Sequence, residues 1–344
     1  MYPIIGPRLS AYGVVQPIAR QLGLSQLGTL HERIGDTLTM GNAGDDAEGW
    51  ARSAWGRVIG QTINNRYEAF ADPRADGHIV GMQAGIDLLR ASFEPGHRDV
   101  GGLYFSYLNG NAGVDGLVTN LAASAYVLQH TGTVNLNAYS VGGYWTHYGP
   151  GDWYLDAVVQ GTHYGGNTMA TFAPLGLGLQ TNLSTSGSGF IGSLEGGYPI
   201  PLPQLGPNFI LEPQAQIIWQ HTDFDQANDG LGTIGLGSTS GTTARLGVRA
   251  QWMIPGDNGA MWQPYGRFNA WHDWDGAADT QFSGAGIGVP LLDHATRLEF
   301  AGGLTYKLQS NLSFFAQGGY EFAVSPNNVQ RDGVKGDIGL RFTW

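Results

Sequence analysis

The feature that most restricts how this chain can fold is a period of two, with charge overwhelmingly on one parity, that runs from Gly49 to the last residue. The closing stretch GDIGLRFTW shows it: Ile338, Leu340, Phe342 and Trp344 share one parity, while Asp337, Gly339, Arg341 and Thr343 share the other. Successive side chains of a strand point to opposite faces, so this pattern makes a strand with one apolar and one polar face. Val80, Met82, Ala84, Ile86 and Leu88 alternate in the same way with Gly81, Gln83, Gly85 and Asp87. Trp153, Leu155, Ala157 and Val159 alternate with Tyr154, Asp156, Val158 and Gln160, and Leu211, Pro213, Ala215, Ile217 and Trp219 with Glu212, Gln214 and Gln216. Ala244, Leu246, Val248, Ala250 and Trp252 oppose Arg245, Gly247, Arg249 and Gln251, and Leu312, Phe314, Ala316 and Tyr320 oppose Ser313, Gln317 and Glu321.

Composition decides which face is buried against what. Only 13% of the 344 residues are charged, about half the usual share, while Gly numbers 55 and aromatics reach 11%. That is too little charge for an ordinary soluble surface. A mean hydropathy of -0.15 and the lack of any run of roughly 18 apolar residues exclude a bundle of membrane helices. An apolar outside and a polar inside remain, as in a transmembrane barrel, where Lys or Arg at mid-depth on the lipid face costs about 2 to 4 kcal/mol. In RSAWGRVIGQ and YGRFNAWHDW the pattern is ambiguous: Trp55 shares parity with Arg57 and Trp271 with Arg267, so the facing of these two strands stays open, an interior lined by aromatics being one reading. The net charge of -11 argues against nucleic acid as a partner, and the absence of Cys removes disulfides and thiolate metal sites.

Turn residues divide the alternating region into strands near 49–63, 77–89, 99–108, 134–148, 151–164, 186–200, 208–223, 240–254, 262–275, 295–308, 311–324 and 333–344. The expected fold is all-β, a transmembrane 12-stranded antiparallel β-barrel with an N-terminal α-helix that lies beneath the barrel or runs up through it. Links two, four, six, eight and ten form the shorter set, and links three, five, seven and nine read as long polar loops. An even strand count puts both barrel termini on the short-turn, periplasmic side.

Residues 9–35 read differently. Leu22, Leu27, Leu30 and Ile34 recur at helical spacing, Pro17 suits a first turn and Gly35 a stop, which predicts one helix over about 15–34. Its Pro17 to Ile34 portion is roughly 27 Å long, close to a hydrocarbon thickness. Twelve strands enclose more space than side chains alone fill, so the helix is the available plug. Its Arg20, Glu32 and Arg33 are expected to meet inward-facing Asp156, Glu195, Glu212, Arg245, Arg249, Arg267, Glu299 and Glu321, with Arg20 and Arg33 pairing to the carboxylates. Trp145, Tyr148, Trp153, Trp219, Trp252 and Trp262, near strand ends, are assigned to an interfacial belt at headgroup level.

No catalytic, cofactor or metal constellation is expected. GLGTIG matches a dinucleotide-loop pattern without the strand–helix unit it requires. WHDWDG gathers His272, Asp273 and Asp275 at what reads as a girdled strand end with solvated carboxylates. The nine His residues lack ligand spacing, and no G-x-S-x-G elbow exists.

Taken as a set, ARQLGLSQLGTLHERIGD resembles the linker helix, WGRVIGQ the first strand, YSVGGYWTHYGPGDWYLDAVVQGTHY the central hairpin, SLEGGYP a middle strand and WQPYGRFNAWHDW a late strand of one family. That family is the translocator domain of monomeric type Va autotransporters of Gram-negative bacteria. The resemblance implies residues 1–8 as the tail of a missing passenger, 9–35 as a lumenal linker helix, 36–48 as a linker and 49–344 as the barrel. It implies an outer-membrane location, export of an N-terminal passenger to the cell surface, and a monomer without enzymatic activity. Implied partners are outer-membrane lipid, the barrel-assembly machinery, periplasmic chaperones and the passenger itself, with Phe342 and Trp344 resembling the assembly signal. The self-cleaving Asn-Asn of one family variant is absent from residues 9–35; Asn64-Asn65 falls on the first strand. Two other readings stay open: a porin- or adhesin-like barrel with a periplasmic helix and functional loops, and a barrel enzyme.

Overall fold

The computed structural model describes residues 4–35, 53–283, 289–292, 294–309, 311–324 and 329–344, so the linker assigned to 36–48 lies outside the described residues. Twelve long strands form the wall: β1 (Ser53–Arg66), β2 (Arg74–Ala91), β3 (Arg98–Thr119), β4 (Tyr126–Tyr148), β5 (Tyr154–Thr171), β6 (Gln180–Gly197), β7 (Phe209–Phe224), β8 (Ser238–Trp252), β9 (Met261–Trp274), β10 (Thr296–Gln309), β11 (Leu312–Ala323) and β12 (Gln330–Thr343). Each pairs antiparallel with the next, and β1 closes on β12 with Ser53 opposite Thr343 and Asn65 opposite Arg331. Closure leaves the barrel wall without an open edge, which is what a β-structure in lipid requires. A bulge between Asp87 and Leu89 shifts the β2 parity, so that Leu89 rather than Leu88 takes the more exposed position.

The strand pattern follows the alternation through the membrane and then inverts. Above Leu108, β3 turns Leu108, Ala112, Val114 and Val118 inward, and β4 does the same with Val134, Leu136 and Ala138. Asn109, Asn111, Asn135 and Asn137 take the other face, where the Asn109 amide donates to the Oδ1 atoms of Asn135 (3.1 Å) and Asn137 (2.9 Å). An outer face of asparagines has left the hydrocarbon. The third link, expected as a long loop, is therefore corrected: β3 and β4 continue for 22 and 23 residues, and only residues 120–125 connect them.

The lumenal segment is three helices, not the single helix expected: α1 (Arg8–Gly13), α2 (Val15–Leu27) and α3 (Leu30–Ile34). The break at Gly28-Thr29 has a local cause that leucine spacing hides. Thr29 is extended and caps α3: its hydroxyl accepts from the Glu32 N–H, and the Glu32 carboxylate accepts from the Thr29 N–H (3.0 Å). Gly28 turns the chain with φ +61°, a conformation a side chain resists.

α1 and α2 lean on β3, β4 and β5, while α3 packs against β1 and β12. Tyr12, Val15, Ile18, Ala19 and Leu22 are fully buried against Ile63, Ile79, Leu108, Leu136 and Tyr164. The links between β7 and β8 and between β9 and β10, expected as loops, contribute four short strands, Gln226–Asn228, Thr233–Gly235, Ala278–Phe282 and Val289–Leu291, that form one small sheet. Its Ile234 and Leu291, with adjoining Leu236, share the apolar core with α1, so these links form a lid; GLGTIG supplies one of its strands.

Candidate functional site: the plugged lumen

Each end of the helical segment is tied to the wall. At the lid end Arg8 pairs with Asp229 (3.1 Å), and the Tyr12 hydroxyl donates to Asp229 (2.9 Å) beside Thr181 (2.7 Å). Burial opposes ionisation of Asp229, but the Leu231 N–H, the Tyr12 hydroxyl and the Arg8 charge outweigh it and hold the carboxyl below its ordinary range. The preceding chain is also fixed: the Ile5 N–H donates to Thr119 Oγ1 (2.8 Å), and Ile5 C=O accepts from the Thr119 N–H (3.1 Å).

Along α2 the ties are amides. Gln16 donates to the Gly237 carbonyl (2.6 Å), Gln26 to the Ala138 carbonyl (3.1 Å), and Asn65 of the Asn-Asn pair donates to Gln21 (2.8 Å). Arg20 lies over Gly241, where a Cβ would come within 2.2 Å of its Nη2, and its charge acts on Asp273. Asp273 is corrected from solvated to buried: it pairs with Arg297 (2.9 Å) and accepts from Thr243 (2.6 Å), because its parity faces the lumen.

Around α3 the ties are charges. Arg33 donates to both oxygens of Asp156 (2.8 and 3.0 Å), which also accepts from Thr146 (2.6 Å). His31 contacts Glu212 (2.8 Å), and the Leu30 N–H donates to Glu195 (3.0 Å), itself bridged to Arg245 (3.0 Å). Glu32 lies between Arg267 (2.5 Å) and Lys335 (3.2 Å), both of which also reach Glu299 (2.8 and 3.0 Å). Arg57 donates to the carbonyls of Glu32 and Gln26, 2.9 Å each, closing the end of α2.

Of the residues predicted to face the helix, Arg33, Glu32, Asp156, Glu195, Glu212 and Arg267 meet across the helix–wall boundary, and Glu299 and Arg245 brace those partners. Glu321 pairs with Arg297 of the wall (2.9 Å), and Arg249 stacks over Tyr265 at 4.0 Å. Trp55 and Trp271 face the lumen, donating to Tyr144 (3.0 Å) and Glu299 (2.8 Å). The sequence reading missed Lys335, Arg57, His31 and Asp229. Lys335 and Arg57 carry the inward parity of their strands and were legible on that ground, whereas Asp229 is brought to Arg8 and Tyr12 only by the fold of its link.

Trp145, Trp219, Trp252 and Trp262 are exposed on the outer surface, Phe342 and Trp344 likewise, and Trp153 is half-buried. Tyr148 is corrected: it shares parity with Tyr144 and Thr146, is buried in the lumen, and lies under Arg98 at 4.6 Å.

Fold and lumen together define a class: a membrane-spanning antiparallel barrel whose pore holds the chain's own N-terminal helices. The autotransporter beta-domain model matches residues 54–319, and the chain belongs to that family, an integral outer-membrane one. It is 25% identical to the adhesin BmaC autotransporter of Brucella suis over 93% of this chain and 9% of that protein. It is 27% identical to the BrkA autotransporter of Bordetella pertussis over 88% of this chain and 26% of that protein. The chain thus spans only a minor part of these relatives. Its fold is like that of the Bordetella BrkA beta domain (TM-score 0.66, 20% identity, 86% of this chain and 100% of that one) and the AIDA-I transport unit of Escherichia coli (TM-score 0.68, 16% identity, 99% of this chain and 100% of that one).

Proposed function

We propose that this chain is the translocator unit that takes part in exporting an N-terminal passenger to the cell surface and then anchors it, its pore sealed by the helical segment. One observation carries the reading: residues 4–35 run through the lumen from the lid to the end where β1 begins, tied to the wall along the way. A passenger joined ahead of Ile5 would emerge at the lid end, opposite the paired termini of β1 and β12. The porin-like alternative expected a periplasmic helix, and the lumenal position of α1 to α3 counts against it. The role is one of transport and anchoring, without catalysis.

The helix contacts act as the seal, and Phe342 and Trp344, apolar and outward at the end of β12, act as the assembly signal read by the barrel-assembly machinery after delivery by periplasmic chaperones. Deleting residues 1–35 raises conductance strongly in planar bilayers; unchanged conductance from a correctly folded barrel would refute the plug.

A further inference from the structure

Outside the lumen, the end of the barrel where the β2–β3 and β4–β5 links lie carries a recess lined by Phe93, Glu94, His97, Asp99, Trp145 and His147. It faces outward: Trp145 and Phe93 are exposed, and Trp145 belongs to the outward parity of β4. Asp99 is the unusual member. A carboxylate on the lipid side of a strand is costly unless it has a partner, yet Asp99 is only 5% exposed and directs one oxygen, Oδ1, to both the Trp145 indole N–H (2.9 Å) and His147 Nδ1 (2.9 Å). Its Oδ2 makes no bond among the described residues.

The rings around it are held in place. His147 Nε2 meets His97 Nδ1 at 3.0 Å, and the His147 ring lies 5.9 Å from Trp145 and 5.4 Å from Trp153. Trp153 in turn lies flat over Gly149, where a Cβ would come within 2.1 Å of the indole. Glu94 adds a second, exposed carboxylate at the rim, 3.8 Å from His97.

Aromatic walls, a buried carboxylate with an open oxygen and an acidic rim are the chemistry that receives an alkylammonium group. The recess sits at the level of the tryptophan belt, where headgroups meet the wall. We propose that it binds the primary ammonium of a phosphoethanolamine lipid headgroup. Asp99 Oδ2 accepts an ammonium N–H, Trp145 and Phe93 cover the methylene carbons, and the acyl chains lie along the apolar outer face of β3 and β4 beside Leu103 and Phe105, which are exposed there. The site would hold one lipid at a fixed point of the rim and set the depth of the β2–β5 side of the barrel. This rests on the membrane location, not on the export reading.

Native mass spectrometry of the full chain in detergent, titrated with phosphatidylethanolamine, phosphatidylglycerol or phosphatidylcholine, tests it. The wild type should retain phosphatidylethanolamine at least tenfold more tightly than phosphatidylglycerol, which lacks the ammonium, and more tightly than phosphatidylcholine, whose methylated nitrogen has no N–H to donate. Asp99→Asn keeps the acceptor for Trp145 and His147 while removing the charge, and should abolish the preference; Trp145→Phe should weaken it with folding intact by heat-modifiability. Equal retention of all three lipids by the wild type, or a preference unchanged in Asp99→Asn, would overturn the proposal.

Discussion

Replacing Arg33 by Met isolates one tie of the plug. The Arg33 and Asp156 side chains are 1% and 2% exposed, so the substitution leaves Asp156 a buried charge whose remaining hydrogen-bond donor among the described residues is the Thr146 hydroxyl. Breaking a buried pair from one side costs about 3 to 5 kcal/mol. At 1.4 kcal/mol per factor of ten, this lowers the ratio of docked to undocked α3 by roughly a hundred- to a few-thousand-fold. α2 keeps its apolar packing and amide ties, so the expected effect is a loosened lower plug, not ejection of the helix. In planar bilayers Arg33→Met should show frequent openings, absent from the wild type. Arg33→Met combined with Asp156→Asn removes the stranded charge and keeps an acceptor for Thr146, so most of the quiet baseline should return. Heat-shifted migration in gels verifies that each barrel is folded. A folded single variant as quiet as the wild type, or a double variant as leaky as the single, would refute the reasoning.

Three further outcomes are expected. The Asp229 carboxyl titrates below its unfolded value, so the lid latch contributes fully above about pH 4 and loses strength as pH falls through the lower folded value; protease access to residues 226–235 should rise in acid, and Asp229→Asn should be accessible already at neutral pH. Gly28→Ala strains a φ of +61° and crowds the Arg57 guanidinium, 3.0 Å from the added Cβ; a cost of about 1 to 3 kcal/mol should raise hydrogen exchange in α3 while leaving β5 unchanged. Deleting Phe342 to Trp344 should block outer-membrane insertion far more than deleting Tyr2 to Pro7, measured by surface protease protection; equal insertion of the two would remove the assembly role.

The sequence by itself determined the barrel. Alternation is a local property of the backbone: once Ile338, Leu340 and Phe342 occupy one parity and Asp337 and Arg341 the other, one face must meet lipid and the other water or protein. The same logic made Asp156 and Glu195 legible as lumenal, whereas the facing of Trp55 and Trp271 stayed open because each shares parity with an arginine. It misled at Tyr148, where proximity to a strand end was weighed above parity, and at residues 109–133, where apolar-in and polar-out replaced the membrane pattern because the strands had left the bilayer. Tertiary structure alone decided which lumenal charges touch the helix. Arg33 meets Asp156 and Glu32 meets Arg267 through the register of twelve strands and the depth of α3, and both depend on pairings between residues far apart in the chain. The lid was hidden for the same reason: Asp229, Ile234 and Leu291 lie in links without long periodicity, and they acquire a common core only when α1 comes between them.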